Sequence, residues 1–139
     1  MFLTRLIYVS TATDKVTPDT LDGILISSRK NNKKGYVTGL LSFTHKYYLQ
    51  CLEGSRAEVN RTFNRILKDE KHTNIVILYY QEINEREFGD WSMGNIPQSN
   101  LTGLLKLQFG GSDEFRPYEM SGESAYRMLL TLKQSLPSE

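Results

Sequence analysis

The chain has 139 residues, of which 39% are hydrophobic and 24% charged, and a formal net charge of +1. That length and mix suit one globular domain with an ordinary core, and the near-neutral charge argues against a nucleic-acid-binding surface. No apolar run approaches the roughly 20 residues that span a bilayer. The opening Met1 to Ser10 reads as a strand rather than a secretion signal, and Cys51, the single cysteine, excludes an internal disulfide or a cysteine-based zinc site. The expectation is a cytoplasmic protein that contacts neither membrane nor nucleic acid.

Leu3 to Ser10 (LTRLIYVS) is rich in branched and aromatic residues and predicts a strand. Thr17-Pro18 opens a helix, with Thr17 as N-cap and Pro18 at the first helical position; Leu21, Ile24, Leu25 and Ser28 follow at helical spacing, and Gly35 is the expected stop. Val37 to Phe43 and Tyr47 to Leu52 are strand-like and joined by Thr44-His45-Lys46, which predicts a hairpin. Ser55-Arg56-Ala57-Glu58 matches a capping box and starts a helix with Val59, Phe63, Ile66 and Leu67 as its buried stripe. Ile75 to Tyr80 is the next strand, and Trp91-Ser92-Met93 reads as a short fifth one.

This order, strand, helix, strand, strand, helix, strand, is that of an α+β, ferredoxin-like βαββαβ sandwich. The first and third strands would be central neighbours, with both helices on one face. Two weaker helical patterns follow Pro97: Leu101, Leu104 and Leu105, ended by Gly110-Gly111, then Ala125, Met128, Leu129, Leu132 and Leu136. They are expected on the other face of the sheet or against a second subunit. The chain therefore divides into a domain over 1–97 and a helical extension over 98–139.

Side chains alternate along a strand, so Leu6, Tyr8 and Ser10 share a face, as do Tyr48, Gln50 and Leu52. Central pairing sets a phenol beside a carboxamide in an apolar layer. Ile24, Ser28 and Asn32, at i, i+4 and i+8, form a helix stripe that turns from apolar to polar. With Ile66 opposite, the result is a flat slot with greasy walls and amides at one end, suited to a planar heteroaromatic ring with a polar edge. Arg65 and Asp69, four residues apart, could reach a sugar or phosphate tail. Taken singly, these residues have plainer readings: Tyr8, Trp91 and Met93 as core, Asn31-Asn32 as a helix cap, Arg65 and Asp69 as a surface pair, His72 as a solvated side chain.

Taken together, six pieces in order resemble the BLUF family of blue-light sensors over about residues 2 to 97: Arg5 to Ser10, Ser28 to Asn32, Thr38 to Leu41, Leu49 to Gly54 (LQCLEG), Asp69 to His72, and Arg86 to Met93. The resemblance implies a flavin cofactor, FAD or FMN, which share the ring the slot would recognise. It implies that Tyr8 is the photochemical electron and proton donor and Gln50 the amide that rotates or tautomerises. Asn32, with Asn31 beside it, would hold the flavin's polar edge, Ile24, Ser28 and Ile66 would wall the slot, and Arg65, Asp69 and His72 would line the ribityl-phosphate end. Trp91 and Met93 would relay the switch. One departure stands out: the family usually has phenylalanine where this chain has Tyr48. Likeness to the short, single-domain members further implies a homo-oligomer and a downstream regulator protein rather than catalysis. Two rivals are an RNA-binding module, for which the basic-aromatic signature is missing, and a flavin redox enzyme, for which no second-cofactor motif is found.

Overall fold

The computed structural model describes residues 2–14, 16–108 and 115–138, with the backbone alone over 105–108. Five strands, β1 (Leu3–Ala12), β2 (Thr38–Thr44), β3 (Tyr47–Ser55), β4 (His72–Ile83) and β5 (Gly94–Ile96), form one sheet in the order β4-β1-β3-β2-β5. β1 pairs antiparallel with β3 and β4, β2 antiparallel with β3, and β5 lies parallel to β2. Helices α1 (Pro18–Gly35) and α2 (Arg56–Leu67) pack on one face; α3 (Gln98–Gln108) and α4 (Gly122–Lys133) pack on the other. This is the ferredoxin-like α+β arrangement with the added strand and tail helices that the sequence predicts.

Each helix begins where side-chain chemistry favours it. Thr17 Oγ1 accepts the Thr20 amide at 3.2 Å, with Pro18 next to it, and Ser55 Oγ accepts the Glu58 amide at 3.3 Å. The Ser55–Glu58 capping box is only half closed, because the Glu58 carboxylate turns to Arg61 instead. α1 ends at Gly35 as expected, but the left-handed residue that closes it is not a glycine. Tyr36 takes the left-handed conformation (φ 52°), costly for a side chain with a Cβ, because Arg86 clamps it: the guanidinium sits 4.1 Å from the ring centroid and Nη2 donates to the Tyr36 carbonyl at 2.8 Å. Leu67 leaves its expected stripe; at 51% exposure it closes the last turn of α2 on the solvent side, while Thr62 is buried in its place.

The sheet separates two apolar layers. Odd positions of β1 and β3, with Leu40 of β2, pack against Leu101, Ala125, Met128, Leu129 and Leu132 of the tail helices; even positions pack against Leu25, Val59 and Phe63. Leu136 follows the end of α4 and packs on the first layer; the Leu105 side chain and Gly110-Gly111 lie outside the described residues. The tail layer also covers a buried ion pair, Arg5 Nε to Glu53 Oε2 at 2.7 Å. Glu53, with no exposed surface, accepts the Phe88 amide at 2.7 Å, and the Arg5 guanidinium lies 4.3 Å from the Tyr126 ring centroid on α4. A buried carboxylate is tolerated because each oxygen is bonded.

The hairpin of β2 and β3 depends on a close backbone approach. A Cβ at Gly39 would stand 1.8 Å from the Cys51 carbonyl oxygen. Gly39→Ala is therefore expected to cost about 3 kcal/mol, read as a lower midpoint of denaturation; an unchanged midpoint would show that the strands spread without penalty.

Candidate functional site

The register of β1 and β3 sets Tyr8 directly opposite Gln50, on the face covered by α1 and α2. Both are buried, at 3% and 5% exposure. The Tyr8 hydroxyl donates to Gln50 Oε1, and Gln50 Nε2 donates to Met93 Sδ at 3.3 Å. One carboxamide thus bridges a phenol on one side and a thioether on the other.

In front of this chain lies a cavity of about 160 Å³. α1 lines it with Ile24, Ser28, Asn31 and Asn32, and α2 with Arg65 and Ile66. Asp69 and His72 close the end beyond α2. The residues expected to bind therefore converge on one cavity. Four others that line it escape sequence reading: Ser27, Thr62, Lys71 and Leu41. Thr62 precedes Ile66 by one helical turn, and Leu41 pairs with Gln50 in the hairpin, so periodicity and register carried a signal for both.

Several placements differ from expectation. Asp69 is not on the helix with Arg65; α2 ends at Leu67, and Asp69 Oδ1 accepts the Lys71 amide at 2.9 Å while Arg65 Nη2 donates to Thr62 Oγ1 at 3.3 Å. His72 is buried rather than solvated. It starts β4, where Nδ1 meets Ser10 Oγ at 2.8 Å and Nε2 meets the Ile66 carbonyl at 2.9 Å. Ser10 is free to turn to it because the β1–β4 ladder is irregular between Val9 and Thr11, where Asn74 takes φ 53°.

Asn32, only 2% exposed, sends Nδ2 to the Ser92 carbonyl at 2.7 Å, and Arg29 Nε donates to the Met93 carbonyl at 3.0 Å. The segment they hold is not the expected strand: β5 begins only at Gly94. Trp91 and Met93 consequently face opposite ways. Met93 joins the cavity-side layer, whereas Trp91 joins the tail layer and its Nε1 donates to the Pro137 carbonyl at 2.9 Å. Position 94 takes a glycine, since a Cβ there would stand 2.6 Å from Leu40 Cδ2 and 2.9 Å from the Trp91 ring.

Electrostatically, burial pushes the Tyr8 phenol far above the ordinary tyrosine range, with Tyr48 and Asp69 adding to the effect. Tyr48 is raised as well, by burial first and then by Asp69. Neutral phenols and an amide, aliphatic walls, and the cations Arg65 and Lys71 beside the Asp69 carboxylate suit a flat heteroaromatic molecule with a charged, hydroxyl-bearing tail. An orphaned donor is consistent with such a guest: Tyr48 Oη is buried with no hydrogen-bond partner among the described residues.

Comparison with known proteins agrees with this geometry. A photoactivated adenylate cyclase subunit beta from Euglena longa is 27% identical over 107 residues, covering 76% of this chain and 12% of the relative, so the chain spans about an eighth of that protein's length. The structure of BlsA in its photo-activated state superposes with a TM-score of 0.85 at 28% identity, covering 99% of each chain. BlrB, a BLUF protein in its dark state, gives 0.74 at 25% identity over 94% of this chain and 96% of that one. Residues 3–94 match the profile of sensors of blue light using FAD. The chain belongs to the BLUF family.

Proposed function

We propose that this chain binds FAD in the cavity between α1 and α2 and senses blue light through Tyr8 and Gln50. The observation that carries the reading is the buried Tyr8–Gln50–Met93 hydrogen-bond chain at the cavity wall. The cavity residues fit the cofactor: Ile24, Leu41 and Ile66 would flank its ring, Ser28, Asn31 and Asn32 its polar edge, and Arg65, Asp69, Lys71 and His72 the sugar-phosphate end. FMN carries the same ring and would take the same place. When bound, FAD supplies the absorption of blue light and, excited, a strong one-electron oxidant.

The protein's own part is proton control. Tyr8 keeps its proton at any physiological pH, so it can lose an electron only by also becoming a strong acid at Oη. The one acceptor at that hydrogen is Gln50 Oε1. Once electron and proton return to Tyr8, the Gln50 carboxamide is left turned or tautomerised, and Nε2 no longer serves Met93. The rearrangement stores roughly 1 to a few kcal/mol, so the output is a shift between packed states rather than unfolding.

From Met93 the connection runs two residues along the backbone to Trp91, on the other side of the sheet, and through its indole N–H to Pro137 beyond α4. We assign residues 1–97 to sensing and 98–139 to output, the two sharing the tail-face core. A homo-oligomer or a regulator protein docked on the tail helices would read the change, and the chain would act by contact rather than by turnover. Among the described residues no helix is long and apolar enough to cross a membrane, in keeping with the cytoplasmic reading.

The visible spectrum of the purified protein tests the proposal: a yellow protein with a light-induced, dark-reversible red shift is expected. Tyr8→Phe and Gln50→Leu should each retain flavin and lose the shift; a full photocycle in Tyr8→Phe would sink the assignment. The raised Tyr8 pKa predicts a red-shift amplitude that holds constant up to and beyond about pH 10, where an ordinary tyrosine is half ionised. A fall centred there would mean that Tyr8 is not shielded. Finally, Trp91→Phe removes one hydrogen bond of about 1 kcal/mol. It should leave the red shift intact and abolish the light-dependent change in α4 hydrogen exchange, whereas unchanged coupling would route the signal elsewhere.

A further inference from the structure

Tyr48 lies on the cavity face of β3, two residues before Gln50. Its side chain is 5% exposed and lines the cavity, and its Oη has no hydrogen-bond partner among the described residues. The polar groups near the ring have their bonds elsewhere, and none is made to Tyr48 Oη. Gln50 Oε1 takes the Tyr8 hydroxyl, and His72, whose ring stands 5.8 Å from that of Tyr48, bonds Ser10 and the Ile66 carbonyl. Asp69 is near enough to raise the Tyr48 pKa, yet its Oδ1 serves the Lys71 amide. A phenol buried without an acceptor is a net cost in this position. A phenylalanine would fill the same space without it, so the hydroxyl needs a partner that the protein does not supply.

We propose that Tyr48 is a ligand-binding residue, whose hydroxyl donates a hydrogen bond to an acceptor atom of the bound flavin. The inference rests on the flavin reading given above and adds a contact to it. It carries an opposite-sign signature. Tyr48→Phe weakens flavin binding, because a donor is lost from the complex, and stabilises the flavin-free protein, because an unsatisfied hydroxyl is lost from its interior.

The test uses the full-length chain, freed of flavin and titrated in the dark with FAD, FMN and riboflavin while flavin fluorescence is followed. Tyr48→Phe is expected to raise the FAD dissociation constant by about three- to tenfold and to raise the thermal midpoint of the flavin-free protein by a few degrees. The same loss with riboflavin would put the acceptor on the ring or ribityl chain; a loss confined to FMN and FAD would put it on the phosphate. Equal affinities of the two proteins for all three flavins would overturn the inference and leave the flavin reading intact. A weaker affinity together with a lowered flavin-free midpoint would also overturn it, since Tyr48 would then be supporting the pocket's packing. If the unaltered chain bound none of the three flavins, the functional reading itself would fail, and this inference with it.

Discussion

The hydrogen bond from Tyr8 to Gln50 exists because β1 and β3 pair in a register that makes these two residues direct partners on the covered face of the sheet. With a period of two along each strand, a slip by one residue would turn one of the two side chains into the tail layer, away from the other. That register is held by features far from the cavity. On the reverse face the Arg5–Glu53 ion pair joins another directly opposed pair of residues. A misplaced register would strand a charge in the apolar layer, where one unpaired member of such a pair costs about 3–5 kcal/mol. An ion pair on the reverse face thus favours the register that sets Tyr8 against Gln50.

The two faces of the sheet differ in kind. The tail face is dry and interlocked, with Ile7, Val9, Leu49 and Cys51 packed against α3 and α4. The cavity face is thinner, since of the 18 residues of α1 only Leu25 and Asn32 are buried. A helix held by so few contacts owes much of its seat to Asn32 and Arg29, which bind the 92–93 backbone. The wall of the cavity and the segment that crosses to the other face are therefore one mechanical unit.

Much of this was legible in the sequence because strand alternation and helical spacing are local rules. They place Tyr8, Gln50, Ile24, Ser28 and Asn32 without knowledge of the fold. What they miss depends on contacts distant in sequence. The backbone at 92–93 is held by Asn32 and Arg29, about 60 residues earlier, and the burial of His72 goes with an irregularity in a ladder with β1. Leu67 illustrates the converse, an apolar residue in correct phase that the end of a helix leaves in water. Glu53 lies within the LQCLEG motif, but nothing in its neighbours announces that two backbone amides and Arg5 converge on it.

The ladder between β1 and β4 also shifts between Ile7 and Tyr8, so that Tyr79 opposes Ile7, Ile77 opposes Tyr8, and Leu78 is left without a partner. α4 begins on that spot: a Cβ at Gly122 would stand 2.1 Å from the Leu78 carbonyl oxygen. The last helix fits its seat against an edge strand whose extra residue lies in this place. A chain that paired β4 one residue out would meet a side chain or the wrong carbonyl at Gly122 and leave the tail undocked. The seat of the tail is thereby tied to the alignment of the strand beside Tyr8: α4 fits against β4 in the register seen here.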